Sequence, residues 1–216
     1  KPLYFLMSRP DLRAVPELKG KKVGVSTFGG TADIAARLAL SHYGVDPQRD
    51  ALVIMIGFEN TRVQALVSGN LDATIVVPPS NVVLKQKGFN ELVFLGDMID
   101  FPSNGMTVSE RRLKENRDQV KRMLRASVRG LEFAHTRAEP TIAIIEREWK
   151  VERQVAEGSY ESVVKGLSKT GIATEAGLKT HIELMRKVDK SIGDVPFSKM
   201  VDFGPLEEVR QELGSR

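Results

Sequence analysis

Strand-like and helix-like segments alternate along the first hundred residues, and this alternation constrains the fold more than any other feature. Short apolar or β-rich runs predict strands at residues 3–7, 22–25, 52–56, 73–77 and 92–95. Apolar residues at helical spacing predict helices between them, at residues 31–43, 60–68 and 80–87. Because each helix returns the chain to the same end of the sheet, this order predicts an α/β fold with a mainly parallel sheet. The continuous apolar run at 52–56 further predicts a strand that is buried on both faces.

The second half of the chain has a different character. A turn-rich connector at residues 100–105 and a brief predicted strand at 106–108 precede a region that is almost entirely helical. Its helices are amphipathic, but there is hardly any sheet for their apolar faces to cover. These helices therefore either form a bundle by themselves or belong to a second α/β lobe whose strands are not in this sequence.

Composition excludes several classes of function. The 216 residues include no cysteine, which excludes disulfides, thiolate metal sites and cysteine nucleophiles. The three histidines, His42, His135 and His181, lie far apart, so we predict no metal site, no cofactor and no catalytic residue. The net charge of +4 comes from mixed signs, as at residues 110–118, which argues against a nucleic-acid partner. No apolar run reaches the about 18–20 residues that span a bilayer, and the sequence opens without a signal-peptide pattern.

The turn between the strand at 22–25 and the next helix is the strongest candidate for a ligand site. The first N–H groups of a helix lack intrahelical partners, and the helix dipole favours negative charge there. Two glycines allow a ligand to approach the backbone, and neighbouring hydroxyls add donors. The turn therefore predicts an anion site, with a simply capped helix as the open alternative. Its candidate ligand-binding residues are Ser26, Phe28, Gly29, Gly30 and Thr31.

Two further loops are expected at the same edge of the sheet. Glu59 and Asn60 follow the strand at 52–56, and Pro79 and Ser80 follow the strand at 73–77. In an open parallel sheet, ligands bind at the carboxyl ends of the strands, where such loops gather. The shared edge favours a ligand site over three unrelated turns, although a second wall is needed to enclose a ligand.

Several segments carry a resemblance to a known family. They are residues 18–25 (LKGKKVGV), the turn at 29–31, residues 63–73 (VQALVSGNLDA) and residues 104–109 (NGMTVS). In order and spacing they resemble the ABC-transporter substrate-binding proteins for nitrate, sulfonates, taurine and the thiamine-pyrimidine precursor. The resemblance implies a periplasmic-binding-protein-like fold of type II, with two α/β lobes that close over a small ligand.

The resemblance also implies a division of the chain and a role. Residues 20–96 would form the second lobe, while 1–19 and 97–216 would supply crossover segments and the helical part of an incomplete first lobe. The protein would be periplasmic, with an export signal upstream, and would deliver an anionic or polar heterocyclic ligand to an ABC permease. Gly29, Gly30 and Thr31 would hold a polar or anionic group of the ligand. Ser26, Glu59, Pro79 and Ser80 would line the same cleft.

Two other functions share this fold. A pyrimidine synthase of the thiamine pathway is similar, but its eukaryotic forms are associated with a cysteine-rich iron motif, and this chain has no cysteine. The effector domain of a LysR-like transcription regulator is the second alternative, although no helix-turn-helix segment is present. We therefore predict a binding protein that is not an enzyme.

Overall fold

The computed structural model describes residues 1–188 and 190–214, and its centre is one five-stranded sheet. The strands are β1 (Phe5–Ser8), β2 (Lys22–Val25), β3 (Leu52–Met55), β4 (Ala73–Val76) and β5 (Asn90–Phe94), in the order β3-β2-β4-β1-β5. β2 is parallel to β3 and β4, whereas β1 is antiparallel to β4 and β5. Four strands therefore run in one direction and β1 in the other. The predicted α/β fold with a mainly parallel sheet is confirmed.

Helices cover both faces of the sheet. On one face, α1 (Thr31–His42) and a 3-10 helix (Val15–Leu18) enclose side chains that alternate along the strands, among them Leu6, Val23 and Ile75. On the other face, α2 (Glu59–Val67) and α3 (Ser80–Gln86) pack on Phe5, Met7 and Val76. α1 leaves β2 towards one face and α3 leaves β4 towards the other. The carboxyl ends of these two neighbouring strands are therefore the kind of switch point at which open α/β sheets form a ligand crevice.

The opening strand lies inside the sheet. β1 sits between β4 and β5, and its four residues are all buried. Residues of the segment 1–19 therefore belong to the same α/β unit as residues 20–96, instead of serving only as a crossover. The division of the chain into two lobes stays a prediction.

Two predictions about strands are wrong. β3 is not buried on both faces: it is an edge strand of the sheet, with Leu52 55% and Met55 57% exposed. Its apolar run resembles that of the buried β4, but among the described residues only β2 pairs with it, so one edge has no neighbour there. Residues 106–108 form no strand, and Met106 and Val108 are exposed.

The second half is helical, as the sequence predicts. It contains α4 (Leu95–Met98), α5 (Glu110–Glu115), α6 (Arg117–Thr136), α7 (Ala138–Trp149), α8 (Arg153–Gly166), α9 (Glu175–Val188), α10 (Phe197–Met200) and α11 (Gly204–Gly214). α7 and α8 form a hairpin around Ile142, Ile145 and Ala156. α8 packs on α3 at Gly158, where an added Cβ would lie 2.8 Å from Val82 Cγ1. This contact joins the helical half to the sheet.

Ion pairs hold the last helix against α6. Arg117, Lys121 and Arg125 of α6 face Glu208 and Glu212 of α11, and Lys121 Nζ lies 3.2 Å from Glu208 Oε2. The hydrogen bonds from Arg117 and Lys121 lower the pKa of Glu208, and those from Lys121 and Arg125 lower the pKa of Glu212. Carboxyl groups whose pKa is lower in the folded state stabilise it above their unfolded pKa.

We therefore predict that the contribution of this cluster disappears in acid. The Glu208→Gln/Glu212→Gln double variant should melt a few degrees below the wild type at pH 7. The difference should shrink as the pH falls below the ordinary glutamate pKa of 4.5 and through the lowered folded values. Thermal melts followed by circular dichroism between pH 2.5 and 7 measure this, with the exposed Glu115→Gln as the control. A difference that stays constant down to pH 2.5 would contradict the assignment.

Candidate functional site

The three predicted loops do share one edge of the sheet. They follow β2, β3 and β4, which are parallel neighbours, so their carboxyl ends point the same way. The loop after β2 lies beside the crevice on one side, and the loop after β4 lies beside it on the other. We call these segments, residues 26–31, 56–60 and 77–80, the loop wall.

The glycine turn of the loop wall has the backbone that the sequence predicts. Gly29 has a φ of +75°, which is the left-handed region where a glycine is favoured. Gly30 begins α1 without a side-chain cap, and an added Cβ there would lie 2.7 Å from Thr27 Oγ1. Ser26 is half-buried and Thr31 is exposed at the first turn of the helix. The ligand role of these residues stays a prediction.

A carboxylate of the chain itself occupies this turn. The Gly29 N–H donates to Asp33 Oδ2 at 2.9 Å, and Arg37 Nε donates to Asp33 Oδ1 at 2.7 Å. Asp33 is only 4% exposed, whereas Arg37 reaches the surface and lies over the Phe28 ring, 6.0 Å from its centroid. This pair was not predicted from the sequence, although its i,i+4 spacing directly after the glycines is a readable signal.

A second carboxylate joins the loops after β3 and β4. Glu59 Oε2 accepts the Val77 N–H at 3.2 Å, and Glu59 Oε1 accepts the Ser80 hydroxyl at 2.6 Å. The structure therefore brings the predicted residues Glu59 and Ser80 into direct contact. Pro79 follows a cis peptide bond and is half-buried, and Asn60 is exposed on the first turn of α2.

A buried arginine lies beneath the loop wall. Arg62 of α2 is 4% exposed and donates to Thr74 Oγ1 at 3.2 Å, to the Ile75 carbonyl at 3.0 Å and to the Gly57 carbonyl. Thr74 Oγ1 in turn donates to the Gly24 carbonyl at 2.8 Å. Burial lowers the pKa of Arg62, and the nearby Glu59 carboxylate opposes that shift. This network connects β2, β4 and the loop after β3.

Two exposed phenylalanines stand at the loop wall. Phe28 is 59% exposed in the loop after β2, and Phe58 is 87% exposed at the start of α2. Contiguous exposed apolar surface commonly marks a ligand or partner site, and these two side chains lie on the loops that follow the neighbouring strands β2 and β3. Aromatic faces at the mouth of a crevice can stack against a planar ligand.

A separate concavity runs between α3 and α8. It is lined by Asn81, Lys85, Gly158 and Ser162 among others, and the Asn81 Nδ2 lies 3.3 Å from Ser162 Oγ. The Asn81 Oδ1 is buried and has no hydrogen-bond partner among the described residues. This hollow lies outside the loop wall, although Asn81 directly follows Ser80.

The described residues show neither a metal site nor a membrane span. Within residues 1–188 and 190–214, no three His, Cys, Asp or Glu side chains are grouped closely enough to hold a metal ion. No helix in the same part of the chain is both long and apolar enough to cross a membrane.

Comparison with known proteins gives one family. A sequence model described as NMT1/THI5 like matches residues 1–141, more than half of the chain. The chain is 31% identical over 139 residues to the riboflavin-binding protein RibY of Chloroflexus aurantiacus, which covers 63% of this chain. The match covers 38% of RibY, so the chain corresponds to less than half of that relative.

Solved structures share the fold at low sequence identity. The periplasmic aliphatic sulphonate binding protein SsuA from Escherichia coli matches with a TM-score of 0.67 and 16% identity, over 88% of this chain and 60% of that one. The desulfurization enzyme DSZB matches with a TM-score of 0.68 and 15% identity, over 97% of this chain and 76% of that one. The predicted periplasmic-binding-protein-like fold is confirmed.

The buried Arg62 network allows a direct test. Arg62→Met leaves the carbonyls of Gly57 and Ile75 and the Thr74 hydroxyl without their donors, and each unsatisfied buried group costs about 1–3 kcal/mol. We expect a total loss of about 3 kcal/mol in the free energy of unfolding, measured with urea. The exposed Arg49→Met is the matched control and should change it by less than about 1 kcal/mol. Equal losses of unfolding free energy in the two variants would contradict the conclusion that the hydrogen bonds of Arg62 stabilise the fold.

Proposed function

The chain belongs to the NMT1/THI5-like family, and on that basis we propose that it is part of the solute-binding component of an ABC importer. In this role it binds a small organic molecule and delivers it to a membrane permease. We place this event in the periplasm or an equivalent compartment outside the cytoplasm. Family membership, the fold shared with SsuA and the likeness to RibY support the proposal.

The observation that carries this proposal is the loop wall with its two exposed phenylalanines. Parallel strands, helices on opposite faces and the Arg62 network hold the loops in one arrangement before a ligand arrives. Such preformed crevices, apolar with few polar groups, are the usual form of small-molecule sites. We propose Ser26, Phe28, Gly29, Gly30, Thr31, Glu59, Asn60, Pro79 and Ser80 as ligand-facing residues, and we add Phe58.

A second lobe would supply the opposite wall. We propose that the α/β unit with residues 20–96 is one lobe, and that the helices of residues 97–216 belong to the other. Ligand binding between two lobes shifts the population towards a closed form, which a permease can distinguish from the open one. The helices α6 to α11 have no strand beneath them within the described residues, which supports their assignment to a separate lobe.

Binding fits the loop wall better than catalysis does. The fold also occurs in the enzyme DSZB, so the fold alone does not decide between the two. However, both carboxylates at the crevice, Asp33 and Glu59, already accept hydrogen bonds from the chain and are not poised to act as a free acid or base. Rigid wall residues without an available catalytic group are typical of a binding protein.

Ligand titration tests the proposal. The purified chain should bind at least one of three probes: riboflavin, an aminopyrimidine thiamine precursor or an alkanesulfonate. Fluorescence titration suits riboflavin and calorimetry suits the others. Phe28→Ala should weaken binding of a planar probe about tenfold, because stacking of an aromatic side chain on a ring contributes about 1–3 kcal/mol.

Phe133→Ala is the matched control for that variant. Phe133 is also partly exposed, at 39%, but it lies on α6 away from the loop wall. Its removal should leave the dissociation constant unchanged. Failure of all three probes to bind, or equal weakening by both variants, would count against the proposed function.

A further inference from the structure

Several donors of the loop wall already have acceptors within the chain. The Gly29 N–H donates to Asp33, and the Val77 N–H and the Ser80 hydroxyl donate to Glu59. The Gly30 N–H donates to the Thr27 carbonyl at 3.1 Å. An oxyanion would need such donors, and here the carboxylates of Asp33 and Glu59 already accept hydrogen bonds from three of them.

From this arrangement we infer that Asp33 determines the class of ligand. Its buried carboxylate closes the glycine turn against sulfonates, phosphates and carboxylates, so that the site selects an uncharged planar molecule. This inference rests on the proposed binding function and specifies its substrate class. It replaces the anionic ligand expected from the glycine turn.

The two arginines near the turn, Arg37 and Arg62, donate hydrogen bonds to acceptors within the chain. Arg37 Nε is bound to Asp33, and Arg37 Nη1 lies 3.4 Å from the Pro47 carbonyl. The hydrogen bonds of Arg62 run inward, to Thr74 and to the carbonyls of Gly57 and Ile75. An incoming oxyanion would therefore have to displace the Asp33 carboxylate from the Gly29 N–H and from Arg37.

The surface that remains suits a neutral ring. Phe28 and Phe58 keep most of their side chains exposed, and an aromatic face gains from stacking without needing a charge on the ligand. Arg37 lies over the Phe28 ring and helps to hold that ring in place. The loop wall thus combines aromatic surface with two carboxylates that are hydrogen-bonded within the chain.

Paired flavins provide a sharp experiment. Riboflavin and riboflavin 5′-phosphate share one ring system and differ by a phosphate group. We expect the wild-type chain to bind riboflavin at least tenfold more tightly than the phosphate. Asp33→Asn keeps an acceptor for the Gly29 N–H but removes the charge, so this ratio should fall about tenfold.

Asp118→Asn is the matched control. Asp118 is likewise an acidic residue in the first turn of a helix, α6, but it lies outside the loop wall. Its variant should keep the wild-type ratio. A merely structural role of Asp33 would weaken both flavins equally, so an unchanged ratio in Asp33→Asn would overturn the inference. Tighter binding of the phosphate by the wild type would also overturn it.

A sulfate titration tests whether the glycine turn is closed to anions, independently of whether the chain binds a flavin. We would titrate sulfate against chloride at constant ionic strength and follow the Gly29 amide resonance by NMR. The resonance should stay in place in the wild type and should move in Asp33→Asn. A sulfate-dependent shift in the wild type overturns the inference even when no flavin binds.

Failure of both flavins to bind, with the wild-type resonance unmoved, counts against the proposed ligand and still supports the closed turn. The wild-type titration also decides the matter should Asp33→Asn fail to fold.

Discussion

The buried guanidinium of Arg62 is the interaction on which the site depends. A charged group away from water needs partners, and Arg62 finds them in segments that are distant in sequence. The Gly57 carbonyl belongs to the loop after β3, Ile75 and Thr74 belong to β4, and Thr74 continues the network to Gly24 of β2. Any independent movement of these segments would leave a buried charge or carbonyl unsatisfied. The spacing of the loops is therefore coupled to the stability of the sheet.

Two carboxylates extend this arrangement to the surface of the crevice. Glu59 connects the loops after β3 and β4, and Asp33 closes the turn after β2. Each accepts hydrogen bonds from donors of the loop wall that an anion could otherwise use. The wall is thus organised without a ligand, and its charges are balanced by Arg37 and Arg62 nearby. A preorganised wall loses little entropy when a ligand binds, which favours affinity for rigid, planar molecules.

The sequence predicted the architecture well because the relevant signals are local. Strand and helix periodicity located the five strands and the helices of both halves, and parallel order placed the three loops at one edge. Prediction from the sequence failed where the structure depends on which strands lie next to each other in the sheet. The apolar run of β3 carries no sign that its strand is outermost, and nothing near β1 in sequence shows that it inserts between β4 and β5.

The sequence located the loops of the candidate site but not the hydrogen bonds within them. The glycine turn has the positive φ at Gly29 that the sequence allows, but the sequence did not reveal that the Gly29 N–H donates to Asp33, four residues later. Arg62 was missed because an arginine on an amphipathic helix is usually exposed, and its acceptors come from residues 57, 74 and 75. Such partners become visible only when the fold brings them together.

The most direct test of this account is to map a bound ligand onto the backbone. Amide chemical-shift changes on addition of riboflavin should concentrate at residues 26–31, 56–60 and 77–80. They should be small along the hollow between α3 and α8, where Lys85 and Ser162 lie. The opposite pattern, with the largest changes at α3 and α8 and none at the loop wall, would contradict the account.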